Sequence, residues 1–437
     1  MADNSAMPAK SLGLGACTAV VVGNMVGSGF YLSPAAVAPY GQLAIVMWVV
    51  MGFGAICLGI AFARLARLAP AATGGPYAFT RLAFGNFMGF LIAWGYWISI
   101  WASLPAMALA FAGAVLSFAP TLKNPMIGLV VLTLGAMWLV ALVNLRGVKA
   151  AGIFAEITTY SKLLPFAAIC LIGLFYVQGA NYAGFNPSGE SLFSSAAALA
   201  PLTMFAYLGL ESATVPAGDV REPEKTIPRS TVIGIGIAAV LYVLGTVVVM
   251  GVVPHEQLLN SVAPFADAAR SMWGPIGAGA VAIAVILSSI GALNGWTLLM
   301  GQVPMAAAQD RLFPATFGKL SSRGVPATGI VVSVSLATAL VLIESSGSPG
   351  FHAAYSLIVN LSTMAAVIPY SFCALAAGLI AARKGKKPRI TWIEAIAFVF
   401  SMFTLYGCGP EAVLYGLVLL LLGIPVYVWQ QHRTPAS

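Results

Sequence analysis

Two charged side chains stand where their surroundings are apolar. Glu211 lies in the middle of the run 194–217, and Lys162 about nine residues into the run 153–177, roughly 13 Å along a helix. A charge at mid-bilayer costs roughly 2.5–3.5 kcal/mol, so each must face protein or water and find a partner. Two of the apolar runs are also interrupted. One reads Gly23-Asn24-Met25-Val26-Gly27-Ser28-Gly29-Phe30, the other Phe205-Ala206-Tyr207-Leu208-Gly209-Leu210-Glu211-Ser212. Each glycine weakens a helix by roughly 1 kcal/mol. Peptide groups freed by a break survive only beside a cavity, because hydrocarbon cannot solvate them. Glycine also serves close helix packing, and either stretch alone reads that way. Together they offer a chemistry. Amides after Gly27 carry the positive end of a half-helix dipole and suit a carboxylate. Carbonyls ending the first half of the second run suit an ammonium, and an α-amino acid carries both charges.

The elements that position these residues follow from composition. The 437 residues are 60% hydrophobic and only 8% charged, against about 25% charged in a soluble domain. So little charge cannot cover a wetted surface. That excludes a soluble enzyme, a disordered chain and a nucleic-acid binder, and leaves a polytopic membrane protein. Twelve apolar runs are predicted to span, at 12–33, 42–63, 84–117, 126–145, 153–177, 194–217, 230–253, 275–307, 327–344, 353–381, 391–407 and 411–430. The chain reads as a single transmembrane domain over 1–437. With the N-terminus inside, eighteen Lys and Arg fall on the inner side and only Lys123 and Arg270 outside. This bias predicts cytoplasmic termini. The basic cluster 383–389 reads as a topogenic loop rather than a lipid-binding patch. The first run follows a short polar tail and is too long for the core of a cleavable signal. Cys17, Cys57, Cys170, Cys373 and Cys408 stand singly in apolar runs and read as core. No metal ligand set, cofactor motif or Ser-His-Asp combination is visible, so no cofactor is expected.

The two interruptions fall at matched places, the first and sixth spans, if spans one to five (1–177) and six to ten (194–381) are two repeats. Matched broken helices point to a transporter site at the membrane midplane. At these residues the chain resembles the amino acid–polyamine–organocation superfamily, and within it the basic amino acid/polyamine antiporters, the arginine/agmatine antiporters most of all. The stretches that carry the resemblance are GNMVGSGFYLSPA at 23–35, GGPYAFTRLAFG at 74–85, YLGLESATVPAGDVREPEKTIPRS at 207–230, APFADAAR at 263–270 and NGWTLLMGQVPMAAAQDRLFP at 294–314.

The resemblance implies an all-α membrane protein with a five-plus-five inverted-repeat core, broken helices one and six, and two further helices over 391–430. It implies alternating access in a bacterial cytoplasmic membrane and a homodimer. By that similarity the amides of Ser28 and Gly29 hold the substrate carboxylate, and the carbonyls of Met25, Phe205 and Leu208 hold the α-ammonium. Trp296 stacks on the cationic group, Tyr96 is a gate-side aromatic, and Ser362 is a polar pocket position. Glu211 matches the family's buried glutamate, linked to pH response and coupling.

Departures matter. The arginine antiporter pattern has Asn, Trp and Ser where this chain has Leu104, Phe205 and Ala292, and each change removes a partner from a guanidinium with five donors. Lysine, ornithine, a diamine or a smaller neutral amino acid then remain open. Lys162, in YSKLLPF, resembles the lysine that replaces a sodium ion between spans one, five and eight in other members of the superfamily. The expected function is exchange of cationic amino acids or polyamines; the alternative is proton-coupled carriage of neutral amino acids. A channel needs a continuous polar ring and an enzyme a convergent reactive set, and the sequence holds neither.

Overall fold

The computed structural model describes residues 12–70, 72, 74–118, 125–147, 165–214, 220–347, 351–385, 387 and 389–433. The architecture is helical; among the described residues the one extended pairing is an isolated bridge between Leu12 and Val220. Seventeen α-helices are described. They are α1 (Leu14–Met25), α2 (Ser28–Tyr31), α3 (Ser33–Val37), α4 (Leu43–Leu68), α5 (Pro76–Phe84), α6 (Asn86–Leu116), α7 (Pro125–Leu145) and α8 (Pro165–Tyr176). Then follow α9 (Leu192–Tyr207), α10 (Pro223–Val252), α11 (His255–Leu258), α12 (Pro264–Gln309), α13 (Ala327–Gly347), α14 (Phe351–Arg383), α15 (Trp392–Gly407), α16 (Gly409–Leu421) and α17 (Gly423–Arg433).

Among the described residues, eight helical stretches are long and apolar enough to cross a membrane. The runs at 12–33, 153–177, 194–217 and 391–407 hold shorter apolar helices. Two of the four are short because their helices break. α8 is described only from Pro165, so Lys162 lies outside the described residues. α12 bends at Gly274, whose φ of 71° is a left-handed value that glycine adopts without strain; Pro275 then restarts the helix. All five cysteines are buried and unbridged.

α6 and α14 are the most buried of the long helices, α12 and α14 both pack on α6, and α4 packs along α10. At one end, charged side chains stitch the elements together. Arg64 reaches Glu394 at 2.5 and 2.6 Å, and Thr391 and Glu394 form a reciprocal cap on α15. Arg81 pairs with Asp310 at 2.6 Å, and Tyr77 donates to the same carboxylate at 3.2 Å. Arg383 donates to the Leu82 carbonyl at 2.7 Å, and Lys384 to that of Leu68. These two members of the basic cluster therefore sit on the carbonyl ends of α5 and α4, where a cation is favoured.

At the opposite end, segment 178–185 serves two helices. Its carbonyls at Gly184 and Phe185 accept from the amides of Gln42 and Leu43 at the start of α4. Its donors at Gln178, Asn181 and Tyr182 reach the carbonyls of Gly251, Val252 and Val247 at the end of α10. Helix ends leave peptide groups without partners, and this one segment satisfies a start and a finish.

Candidate substrate site

The site is built where two helices come undone. α1 stops at Met25. Val26 turns out of the helix (φ −77°, ψ 89°), and Gly27 is extended before α2 begins. α9 stops at Tyr207. Leu208 is extended (φ −61°, ψ 139°), Gly209 takes φ 95°, and a turn runs on through Glu211. The two breaks touch. A Cβ on Gly209 would lie 3.2 Å from the Asn24 Cβ, and one on Gly29 would lie 2.8 Å from the Phe205 ring. A Cβ on Gly27 would lie 2.8 Å from that of Ala292 on α12. Only glycine allows these approaches.

The peptide groups at the breaks can be followed one by one. On the first, the carbonyl of Asn24 accepts from the Trp296 indole at 3.5 Å, that of Gly27 from Phe30, and that of Gly29 from the Tyr355 hydroxyl at 3.0 Å. On the second, Phe205 accepts from the Leu208 amide, Ala206 from the Tyr242 hydroxyl at 2.8 Å, Tyr207 from Leu210, and Gly209 from Ser212. Among the described residues no donor meets the carbonyls of Met25 and Leu208, and no acceptor meets the amide of Gly29. Buried main-chain groups are almost always paired. One bare donor and two bare acceptors at adjoining breaks are groups that a ligand carrying both kinds of partner could satisfy. The Phe205 carbonyl, already used once, keeps a second lone pair.

The remaining expected residues fall into three groups. Trp296 and Phe205 are buried against the first break. Glu211 is fully buried and accepts hydrogen bonds from Tyr96 on α6 and Tyr370 on α14. Tyr96 thus lies with the glutamate. Ser362 is buried, with its hydroxyl turned onto the Val359 carbonyl of its own helix. Leu104 is buried too. Tyr370, Tyr355 and Tyr242 were not singled out from the sequence. The available signal was a phenol inside an apolar run, whose hydroxyl needs a partner when buried.

A cleft of about 300 Å³ is lined by residues that include Tyr40, Leu202, His352, Ser356 and Asn360, and by none of the expected site residues. Leu202 lies one helical turn before Phe205 on α9, and Asn360 lies two residues before Ser362.

The sequence matches the amino acid permease family over residues 12–422. The chain belongs to that family. This permease is similar to the putrescine transporter PotE of Haemophilus influenzae, at 29% identity over 98% of this chain and 99% of the relative. It is 30% identical to a putative arginine/ornithine antiporter of Bacillus subtilis, over 97% and 98% of the two chains. It is 31% identical to the cadaverine/lysine antiporter of Escherichia coli, over 83% and 82%. The resemblance to basic amino acid/polyamine antiporters therefore holds. The permease is a transporter and not an enzyme, and with its apolar helices it is a multi-pass protein of the bacterial inner membrane.

Proposed function

We propose that this permease exchanges cationic amino acids and polyamines, bound between the break of α1–α2 and the break after α9. The observation that carries the reading is the set of three bare peptide groups at Met25, Gly29 and Leu208, with Ser28 next to Gly29 in the chain. The amides take the substrate carboxylate; the carbonyls, with that of Phe205, take the α-ammonium. The similar transporters are named for putrescine, arginine/ornithine and cadaverine/lysine, all cations with at least one ammonium for such carbonyls. Trp296 adds a cation–π contact worth about 0.5–2 kcal/mol. Tyr96 and Ser362 complete the pocket wall. Glu211, held by Tyr96 and Tyr370, couples proton uptake to opening, and Lys162 braces the first break in place of Na⁺.

In this reading the chain has twelve spans, with inverted repeats over 1–177 and 194–381 and two added helices over 391–430. Both termini are cytoplasmic, and the protein works by alternating access, as a homodimer. A second reading, proton-coupled carriage of a neutral amino acid, is favoured by Leu104, Phe205 and Ala292. Each offers only an apolar side chain where the arginine antiporters have a polar or indole group.

Counterflow in proteoliposomes tests both. Labelled ornithine or lysine entering only vesicles loaded with a cationic amino acid or diamine supports exchange. Alanine uptake driven by a pH gradient, with no response to internal cations, supports the second reading. Absence of both sinks the zwitterion site.

A further inference from the structure

We propose that Tyr355 is a positioning residue that sets how strongly the permease prefers an amino acid over the diamine lacking its carboxylate. The inference rests on the exchange reading above and concerns one half of its site. Tyr355 stands on α14, 2% exposed, and its hydroxyl donates to the Gly29 carbonyl at 3.0 Å, 326 positions away in sequence.

Gly29 needs such a hold. It must be glycine, because a Cβ there would meet the Phe205 ring at 2.8 Å. Glycine, however, leaves the chain free to rotate on either side of its Cα. The helix it belongs to has four residues, far too few to be stable by itself. The carbonyl of Gly29 shares its rigid peptide plane with the amide of Phe30, which donates to the Gly27 carbonyl at 3.2 Å, so an external bond to that carbonyl helps keep closed the turn that carries the Gly29 amide. Tyr31 supplies a second fastening, from the end of α2 to Ser288 on α12 at 3.0 Å. Among the described residues, Tyr355 is the side chain of α14 that hydrogen-bonds to the backbone of α2. The aim of the bare Gly29 amide therefore depends on a hydroxyl from another helix.

In the exchange reading that amide, with its neighbour at Ser28, serves a carboxylate. A diamine has none, and uses only the carbonyls and the aromatic wall. Loss of the Tyr355 hydroxyl should thus weaken one substrate class and spare the other, which a purely structural role would not do.

The test is Tyr355→Phe, which keeps the ring and removes one oxygen, in reconstituted full-length protein. Apparent affinities are measured for two pairs, ornithine with putrescine and lysine with cadaverine. The expected result is a loss of about tenfold for each amino acid, the order of one hydrogen bond, with each diamine within about twofold. The ratio within a pair is a property of whatever folded protein is recovered, so a reduced yield leaves it readable. An unchanged ratio, whether both affinities fall or neither does, overturns the role of Tyr355. A wild-type protein that moves neither class defeats the exchange reading instead.

Discussion

Tyr370 donates its hydroxyl hydrogen to the carboxyl group of Glu211 from 159 positions further along the chain. Tyr96 donates to the other oxygen of the same group, so this fully buried acid is clasped by phenols from α6 and α14. The clasp lies just beyond the break that follows α9. Glu211→Gln keeps the size of the side chain but cannot gain or lose a proton. Exchange measured from mildly acid to neutral pH is expected to lose most of its pH dependence in this variant. A profile parallel to wild type removes Glu211 from coupling.

Trp296 faces the first break and, in the proposed site, the cationic end of the substrate. Trp296→Ala is expected to weaken a cationic substrate by about 2- to 30-fold, the span of a cation–π contact. A small neutral amino acid should bind as before. If the two respond alike in competition assays, the indole does not contact the cation.

Gly27 and Gly29 have no room for a side chain. A Cβ would meet Ala292 at the first and Phe205 at the second. Gly27→Val and Gly29→Val are each expected to abolish substrate binding, by closing the approach to the backbone of the first break. Binding is read by substrate-induced stabilisation of purified protein, alongside its elution as a folded species. Wild-type affinity in either variant refutes the carboxylate site.

Lys162→Ala is expected to slow exchange severely in sodium-free buffer. Transport at the wild-type rate sinks the bracing role, and a strong Na⁺ requirement in the wild type counts against it as well.

Arg64 and Glu394 test the frame rather than the site. Glu394 is 2% exposed and Arg64 is 29% exposed. Removing the cation strands a buried carboxylate, a loss of about 3–5 kcal/mol for a fully enclosed pair. The half-wet arginine lowers the expectation to roughly 2 kcal/mol. Arg64→Ala should melt several degrees below wild type in detergent, with the substrate preference intact. An unchanged melting temperature shows that the pair is idle.

The breaks were legible because glycine clusters inside apolar runs have few explanations in a medium that cannot solvate peptide groups. The family resemblance named Met25, Ser28, Gly29 and Leu208 at them. The isolation of Glu211 was legible for the same reason. Its clasp was not, since a single chain carries no sign of which distant phenol meets which acid. Tyr355 was hidden likewise, because its acceptor is a carbonyl, and every residue has one. Arg383 and Lys384 read as topogenic charge; that they rest on the ends of α5 and α4 depends on where those helices stop in space.

Segment 178–185 grips the beginning of α4 and the finish of α10 at once. Displacing either of those helices along its axis would drag the other through this short tether, or snap the bonds that cap both. Whatever rearrangement carries cargo past the paired breaks, these two rods should travel as a yoked pair, keeping their mutual register while neighbouring helices slide.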